Sequence, residues 1–264
     1  MRLSSEHFHS AKALAKTTAF PIVVLHGLFG SKQNWRALAK SIALATSQTV
    51  HTLDLRNHGE SPHSDEHSYR DMADDVVDFI KENIKSKASI VGHSMGGKVA
   101  LHLAGSPHVH KSIIVDASPL ALPSTLPFKS YCETMAEIDR KQCLTFPEAS
   151  KIMVDAVGNA QISQFLMTNY KMQPEGKLRF RVNVPILAKS LSAIAEPMKQ
   201  GSRATCLFIC GANSPYVPVS DHPEILKMFP NATFEVVQGA AHWVHVDKPA
   251  QFLNMCNRWL ADRE

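Results

Sequence analysis

Four short β-rich runs, with helical spacing in the stretches between them, constrain the fold of this chain more than any other feature. They are PIVVLH at 21–26, VHTLDL at 50–55, ASIVGH at 88–93 and SIIVDA at 112–117. A strand with one face in water alternates apolar with polar residues, whereas a strand covered on both faces does not. Between the runs, Trp35, Leu38, Ala39 and Ile42 recur at three- and four-residue spacing, as do Met72, Val76, Phe79 and Ile80. Ser68, with Asp71 three residues on, forms a capping box that opens the second of these helices. Buried strands that alternate with helices predict a parallel sheet flanked on both faces.

The rhythm stops near residue 118. Residues 119–203 contain helical patches, such as Ile162, Phe165, Leu166 and Tyr170, but no convincing strand, and Pro119, Pro123, Pro127 and Pro147 punctuate them. Strands resume with ATCLFIC at 204–210 and TFEVV at 233–237, before a last helix over roughly 248–262. Asp247 is expected to cap that helix, with Pro249 in its first turn. The expected organisation is an α/β core from 1–118 and 204–264, with 119–203 inserted as a helical lid. At 264 residues the chain suits one such domain.

Composition excludes several classes. The net charge of +4 comes from mixed basic and acidic residues with no Lys/Arg block, so nucleic acid is not an expected partner. Cys132, Cys143, Cys206, Cys210 and Cys256 form no CxxC pair, and no Cys/His group has metal-ligand spacing. Cys206 and Cys210 fall on one strand roughly 13 Å apart, too far for a disulfide. Reduced thiols and a cytoplasmic protein are the expectation. The opening twenty residues lack the apolar core of a secretory signal; Arg2, Lys12 and Lys16 leave an amphipathic mitochondrial leader as the alternative. No apolar run approaches the ~20 residues that span a bilayer.

The chemistry concentrates in Gly92-His93-Ser94-Met95-Gly96. This G-x-S-x-G pattern follows a strand and opens a helix, the setting in which a sharp turn lifts a serine hydroxyl above a sheet. An acyl-transfer nucleophile also needs donors for the developing oxyanion. The Met95 N–H is one candidate, at a helix N-terminus where the dipole assists. The second is expected from His26-Gly27-Leu28-Phe29-Gly30, with Leu28 the first choice and Phe29 its neighbour.

With these come DLRNHGESPHS at 54–64, GANSPYV at 211–217 and GAAHWVHVDKP at 239–249. Together the blocks resemble the α/β-hydrolase superfamily, and within it the YbfF-type bacterial esterases and the related branch of abhydrolase domain-containing protein eleven. The resemblance covers nearly the whole chain and is weakest in the lid. It implies an eight-stranded, mostly parallel sheet with the lid after the sixth strand. It also implies esterase or thioesterase activity, with no metal and no organic cofactor.

Fourteen histidines offer themselves as general base, so composition cannot choose among them. His242 follows a strand, precedes the final helix and comes last in the Ser…Asp…His order of this fold; His245 is a weak rival. His26 and His93 are expected to shape the backbone near the site, and His58 to bond across the loop after the strand at 50–55. The acid commonly follows the strand matching 204–210, but that slot here is Ser214. Asp116, in VDASP, matches the acid of the YbfF-type pattern, and capping of the lid's first turn is its alternative role. Asp221 is the runner-up, while Asp54 and Arg56 are expected to pair or cap locally.

Leu28, Phe29, Met95 and Trp243 should ring the nucleophile and present an apolar mouth to an acyl chain. Lys171, Lys177, Arg179 and Arg181 in the lid suit a solvated basic face better than a phosphate site. Phe180, Val182 and Val184, which alternate with those charges, should pack on the body. The expected function is hydrolysis of small-molecule carboxylic esters or acyl thioesters through Ser94, His242 and Asp116. The alternatives are a lyase or C–C bond hydrolase on the same fold, and a non-catalytic ligand receptor.

Overall fold

The computed structural model describes residues 1–10, 19–142 and 145–261. Its main sheet has seven strands: β1 (Ser5–Phe8), β2 (Ile22–Leu25), β3 (Val50–Leu53), β4 (Ala88–His93), β5 (Val109–Val115), β8 (Cys206–Gly211) and β9 (Ala232–Val237). Their spatial order is β1-β3-β2-β4-β5-β8-β9, and every pairing is parallel except that of β1 with β3. The parallel arrangement follows from the continuous apolar runs. Ile22, Val24, Val91, Ile113 and Ile209 point to one face of the sheet, and Val23, Leu25, Ile90, Ile114 and Phe208 to the other.

Helices α1 (Arg36–Thr46) and α10 (Pro249–Ala261) cover the first face. The second is covered by α2 (Tyr69–Phe79), α3 (Met95–Leu103) and α8 (His222–Met228), together with residues from 119–203. All four side chains of β2 are 0–1% exposed, and each such burial stabilises by about 1.5–3 kcal/mol. The capping box at α2 forms as expected: Ser68 Oγ accepts from the Asp71 N–H, and Asp71 accepts from the Ser68 N–H.

Between β5 and β8 the chain forms α4 (Phe128–Lys141), α5 (Phe146–Val157), α6 (Ala160–Met167) and α7 (Val184–Ala195), together with a hairpin of β6 (Tyr170–Met172) and β7 (Leu178–Phe180). The hairpin departs from the expectation of a strandless segment. Its strands are three residues long, too short for a period-two pattern to stand out. Phe180, Val182 and Val184 are buried as expected, and Lys171, Lys177 and Arg179 are exposed.

The main sheet has seven strands among the described residues, not eight, and 119–203 follows the fifth strand in chain order, not the sixth. Its antiparallel edge strand β1 (SEHF) carries too little apolar residue to read as a core strand. Cys206 and Cys210 lie on β8 as expected, and Cys132, Cys206, Cys210 and Cys256 are buried free thiols. Cys143 and the proposed leader residues Lys12 and Lys16 lie outside the described residues. No helix among those described is long and apolar enough to cross a membrane.

Asp54 and Arg56 each find a buried partner, though not each other. Arg56 Nε and Nη2 donate to the two oxygens of Asp75 at 2.6 and 2.9 Å. Asp54 accepts from the Lys32 N–H at 2.6 Å, from Lys32 Nζ at 2.7 Å and from the Glu60 N–H at 2.9 Å. It thereby ties the loop after β2 to the loop after β3. Asp54→Ala is expected to lower the unfolding free energy by about 3–5 kcal/mol, because it leaves the Lys32 ammonium buried without its main counter-charge. Urea denaturation checks this; a loss below about 1 kcal/mol would show that Glu60 alone holds the cation.

Candidate active site

Ser94 stands between the last residue of β4 and the first of α3, with φ 53° and ψ −118°. A non-glycine residue with positive φ stores strain on the order of 1–3 kcal/mol. The flanking glycines make the turn sterically feasible. A Cβ at Gly92 would lie 2.2 Å from the Gly96 carbonyl oxygen, and one at Gly96 would lie 2.6 Å from the carbonyl oxygens of Leu25 and His26. The Ser94 N–H donates to Val115 O at 3.0 Å, which anchors the turn to β5.

The Leu28 and Met95 N–H groups donate no hydrogen bond among the described residues, and both side chains line a cavity with Ser94. The Phe29 N–H, in contrast, donates to His58 Nε2 at 3.1 Å, so of the two neighbouring candidates Leu28 has the open donor. Two buried imidazoles shape this loop. His58 Nδ1 donates to Arg56 O at 2.9 Å, which leaves its Nε2 free to accept. His26 Nδ1 donates to Gly27 O, and its Nε2 accepts from the Leu55 N–H at 3.0 Å. Burial lowers the pKa of both rings, and each uses both nitrogens in its neutral form. His26 and His58 therefore have the structural roles expected of them.

His242 Nδ1 donates to Asp116 Oδ2 at 2.7 Å. Asp116 is fully buried at the end of β5, with its backbone at φ 47°. Its Oδ1 accepts from the Gly211 N–H at 3.1 Å, and its Oδ2 also accepts from Ser214 Oγ. Ser214, in the commoner acid slot, thus donates a hydrogen bond to Asp116. Asp221 is half-buried in the turn before α8 and makes no hydrogen bond to His242 among the described residues. Asp247 does not cap α10. It lies in α9 (Val244–Asp247), and its Oδ2 accepts from the Ala241 N–H at 2.8 Å, tethering the residue before His242.

Tyr216 and His93 flank the His242 ring, and no local pattern in the chain signals the first of them. Tyr216 is buried and stacks on the imidazole with ring centroids 3.6 Å apart and planes 11° from parallel. Such pairs contribute about 0.5–1.5 kcal/mol beyond burial. His93 Nε2 donates to the His242 carbonyl at 3.0 Å, so His93 shapes the backbone here as expected. His245, the rival base, is buried against Trp35, whose ring it stacks on at 4.3 Å. Burial, with His242 nearby, pushes its pKa down to about 3.

Ser94 and His242 line one cavity of about 570 Å³, together with Phe29, Phe165, Trp243 and Leu28. No hydrogen bond joins Ser94 Oγ to the imidazole among the described residues. Trp243 packs against Phe165 of α6 at 5.3 Å, and Phe29 meets Phe128 of α4 edge-on at 6.4 Å. A second, narrow chamber of about 10 Å³ adjoins Ser94 on the side of Met95, Lys98 and Ile194. Among the described residues no group of His, Cys, Asp and Glu side chains has the geometry of a metal site.

Residues 21–249 match the α/β hydrolase fold family. The chain is 37% identical over 246 residues to the sn-1-specific diacylglycerol lipase ABHD11 of Xenopus tropicalis, an alignment covering 90% of this chain and 77% of that protein. It is 35% identical over 248 residues to the esterase YbfF of Escherichia coli, covering 92% and 93% of the two. Among solved structures, a marine microorganism esterase superposes with a TM-score of 0.88 at 30% identity, covering 97% of this chain and 98% of that one.

Proposed function

Because this chain belongs to the α/β hydrolase fold family, we propose that it hydrolyses carboxylic esters or acyl thioesters through an acyl-enzyme on Ser94. The observation that carries this reading is the chain of contacts from buried Asp116 to His242, with His242 and Ser94 facing one cavity. Asp116 holds Nδ1 protonated, so Nε2 carries the lone pair that takes the Ser94 proton. Ser94 Oγ then bonds to the substrate carbonyl carbon, and the carbonyl oxygen becomes an oxyanion beside the Leu28 and Met95 N–H groups.

Collapse of this intermediate breaks the bond to the leaving group, which leaves with the proton from His242. Water, deprotonated by the same nitrogen, attacks the acyl carbon; the bond to Ser94 Oγ then breaks, His242 returns the proton to that oxygen, and the carboxylic acid leaves. Small movements bring hydroxyl and imidazole into contact when substrate binds, as is common for such pairs. Residues 119–203 act as a lid over this centre, and Phe29 and Trp243 bind the substrate's apolar part. Esterase and lipase activities in the relatives support the same reading.

The test is covalent. Intact-protein mass spectrometry after brief mixing with p-nitrophenyl acetate is expected to show one added acetyl group, located by digestion to Ser94. A folded protein that releases nitrophenol while Ser94 stays unlabelled by a fluorophosphonate, or that carries the acetyl group elsewhere, would refute the mechanism.

A further inference from the structure

The two chambers that meet at Ser94 differ more than fiftyfold in volume, about 570 Å³ against about 10 Å³. Both include Leu28, Ser94, Phe128 and Tyr216, but His242 lines only the wide one. That asymmetry assigns the two arms of a substrate, provided Ser94 is the nucleophile and His242 the base. The leaving atom must take its proton from His242, so the alcohol or thiol departs through the wide chamber. The acyl tail is left with the opposite side of the carbonyl, where Met95, Lys98, Leu122 and Ile194 bound the narrow chamber. A tail turned instead into the wide chamber would displace the leaving group from the imidazole.

The narrow chamber holds about one water-sized group, and its far wall is held by hydrogen bonds. The two ends of the lid are bonded to each other, Leu122 N–H to Ala195 O at 2.9 Å and Met198 N–H to Pro119 O at 2.7 Å. From below, the Tyr69 hydroxyl donates to Ile194 O at 3.1 Å. Lys98, one turn after Ser94 on α3, donates its buried ammonium to Glu196 O and Leu120 O. Widening the chamber would break these bonds together. We propose that this protein selects short acyl groups, acetyl above all, carried on large alcohol or thiol leaving groups, with Leu122 and Ile194 as the residues that set the limit.

The test measures kcat/KM for p-nitrophenyl acetate, butyrate, hexanoate and octanoate, and for phenyl, 1-naphthyl and N-acetylcysteamine acetates. In the unmodified protein, hexanoate is expected to fall at least about tenfold below acetate, because surplus methylenes in a narrow pocket are rejected by about that factor. The naphthyl ester is expected to react at least as fast as the phenyl ester. Ile194→Ala opens the wall and should raise the hexanoate-to-acetate ratio about tenfold or more. Leu122→Ala, at a less buried position, is the second variant should the first fail to fold. A preference of the unmodified protein for hexanoate or octanoate, with turnover that depends on Ser94, would overturn the proposal alone. So would an unchanged ratio in the folded variants. No turnover of any ester, with Ser94 unlabelled by a fluorophosphonate, would overturn the hydrolase reading and this proposal with it.

Discussion

Ser94→Ala is expected to lower kcat/KM for an activated acetate ester by about 10⁴- to 10⁶-fold, with the urea midpoint unchanged. The Ser94 hydroxyl makes no hydrogen bond that stabilises the folded state among the described residues, so its removal touches the chemistry alone. What activity persists is expected to come from the open Leu28 and Met95 N–H groups and from water. Near-normal turnover by the purified variant would remove Ser94 from the mechanism.

Asp116→Asn belongs with it, at an expected loss of about 10⁴-fold. Asp116 Oδ1 accepts from the Gly211 N–H, so an asparagine must keep its carbonyl oxygen there and turn its NH₂ toward Ser214 and His242. Two donors would then face each other at Nδ1. The imidazole escapes by moving its proton to Nε2, where it can no longer accept the serine proton. Asp221→Asn should stay near the unmodified rate. The reverse outcome for the two aspartates would move the acid to Asp221.

The second large effect is instability in acid. His67 and His245 are almost fully buried, and burial pushes their pKa values down to about 4 and about 3. His26, His58 and His93 are lowered for the same reason. In the unfolded chain each ring binds a proton near pH 6.5. Between that pH and the lowered folded values the unfolded state therefore holds more protons, and stability rises with pH. The contribution is fully present above pH 6.5 and is lost as the pH falls toward 4. His67 and His245 alone account for a loss on the order of 3–5 kcal/mol each if titrated to completion, against a total stability of about 5–15 kcal/mol. The urea midpoint is expected to drop steeply from pH 6.5 to pH 4.5. A flat midpoint over that interval would mean the buried rings are charged in the folded protein.

The legible parts of this molecule are those written in contiguous residues. Gly92, Ser94 and Gly96 announce the elbow because the clash each glycine avoids is with backbone a few residues away in sequence or on the adjoining strand. The buried strands announce themselves because both faces of the sheet are covered. His26 and His93 are assignable to the backbone from their places in tight turns. Asp247 reads as a cap because an acid two residues before Pro249 has that chemistry, while its actual partner, the Ala241 N–H, is presented by a loop that only the fold places there.

Sequence alone therefore determined the layer architecture, the sharp turn that carries Ser94 and the order in which Ser94, Asp116 and His242 occur. Tertiary structure alone decided how these residues are held. It set Ser214 and Gly211 on Asp116, laid Tyr216 against His242, removed the Phe29 N–H to His58 and left a narrow chamber beside a wide one. The division has a physical cause. Backbone sterics and burial periodicity act over a few residues and leave a pattern in the chain. A ring stack or a cavity depends on the meeting of segments 20 to 150 residues apart, and no local pattern records where they will meet.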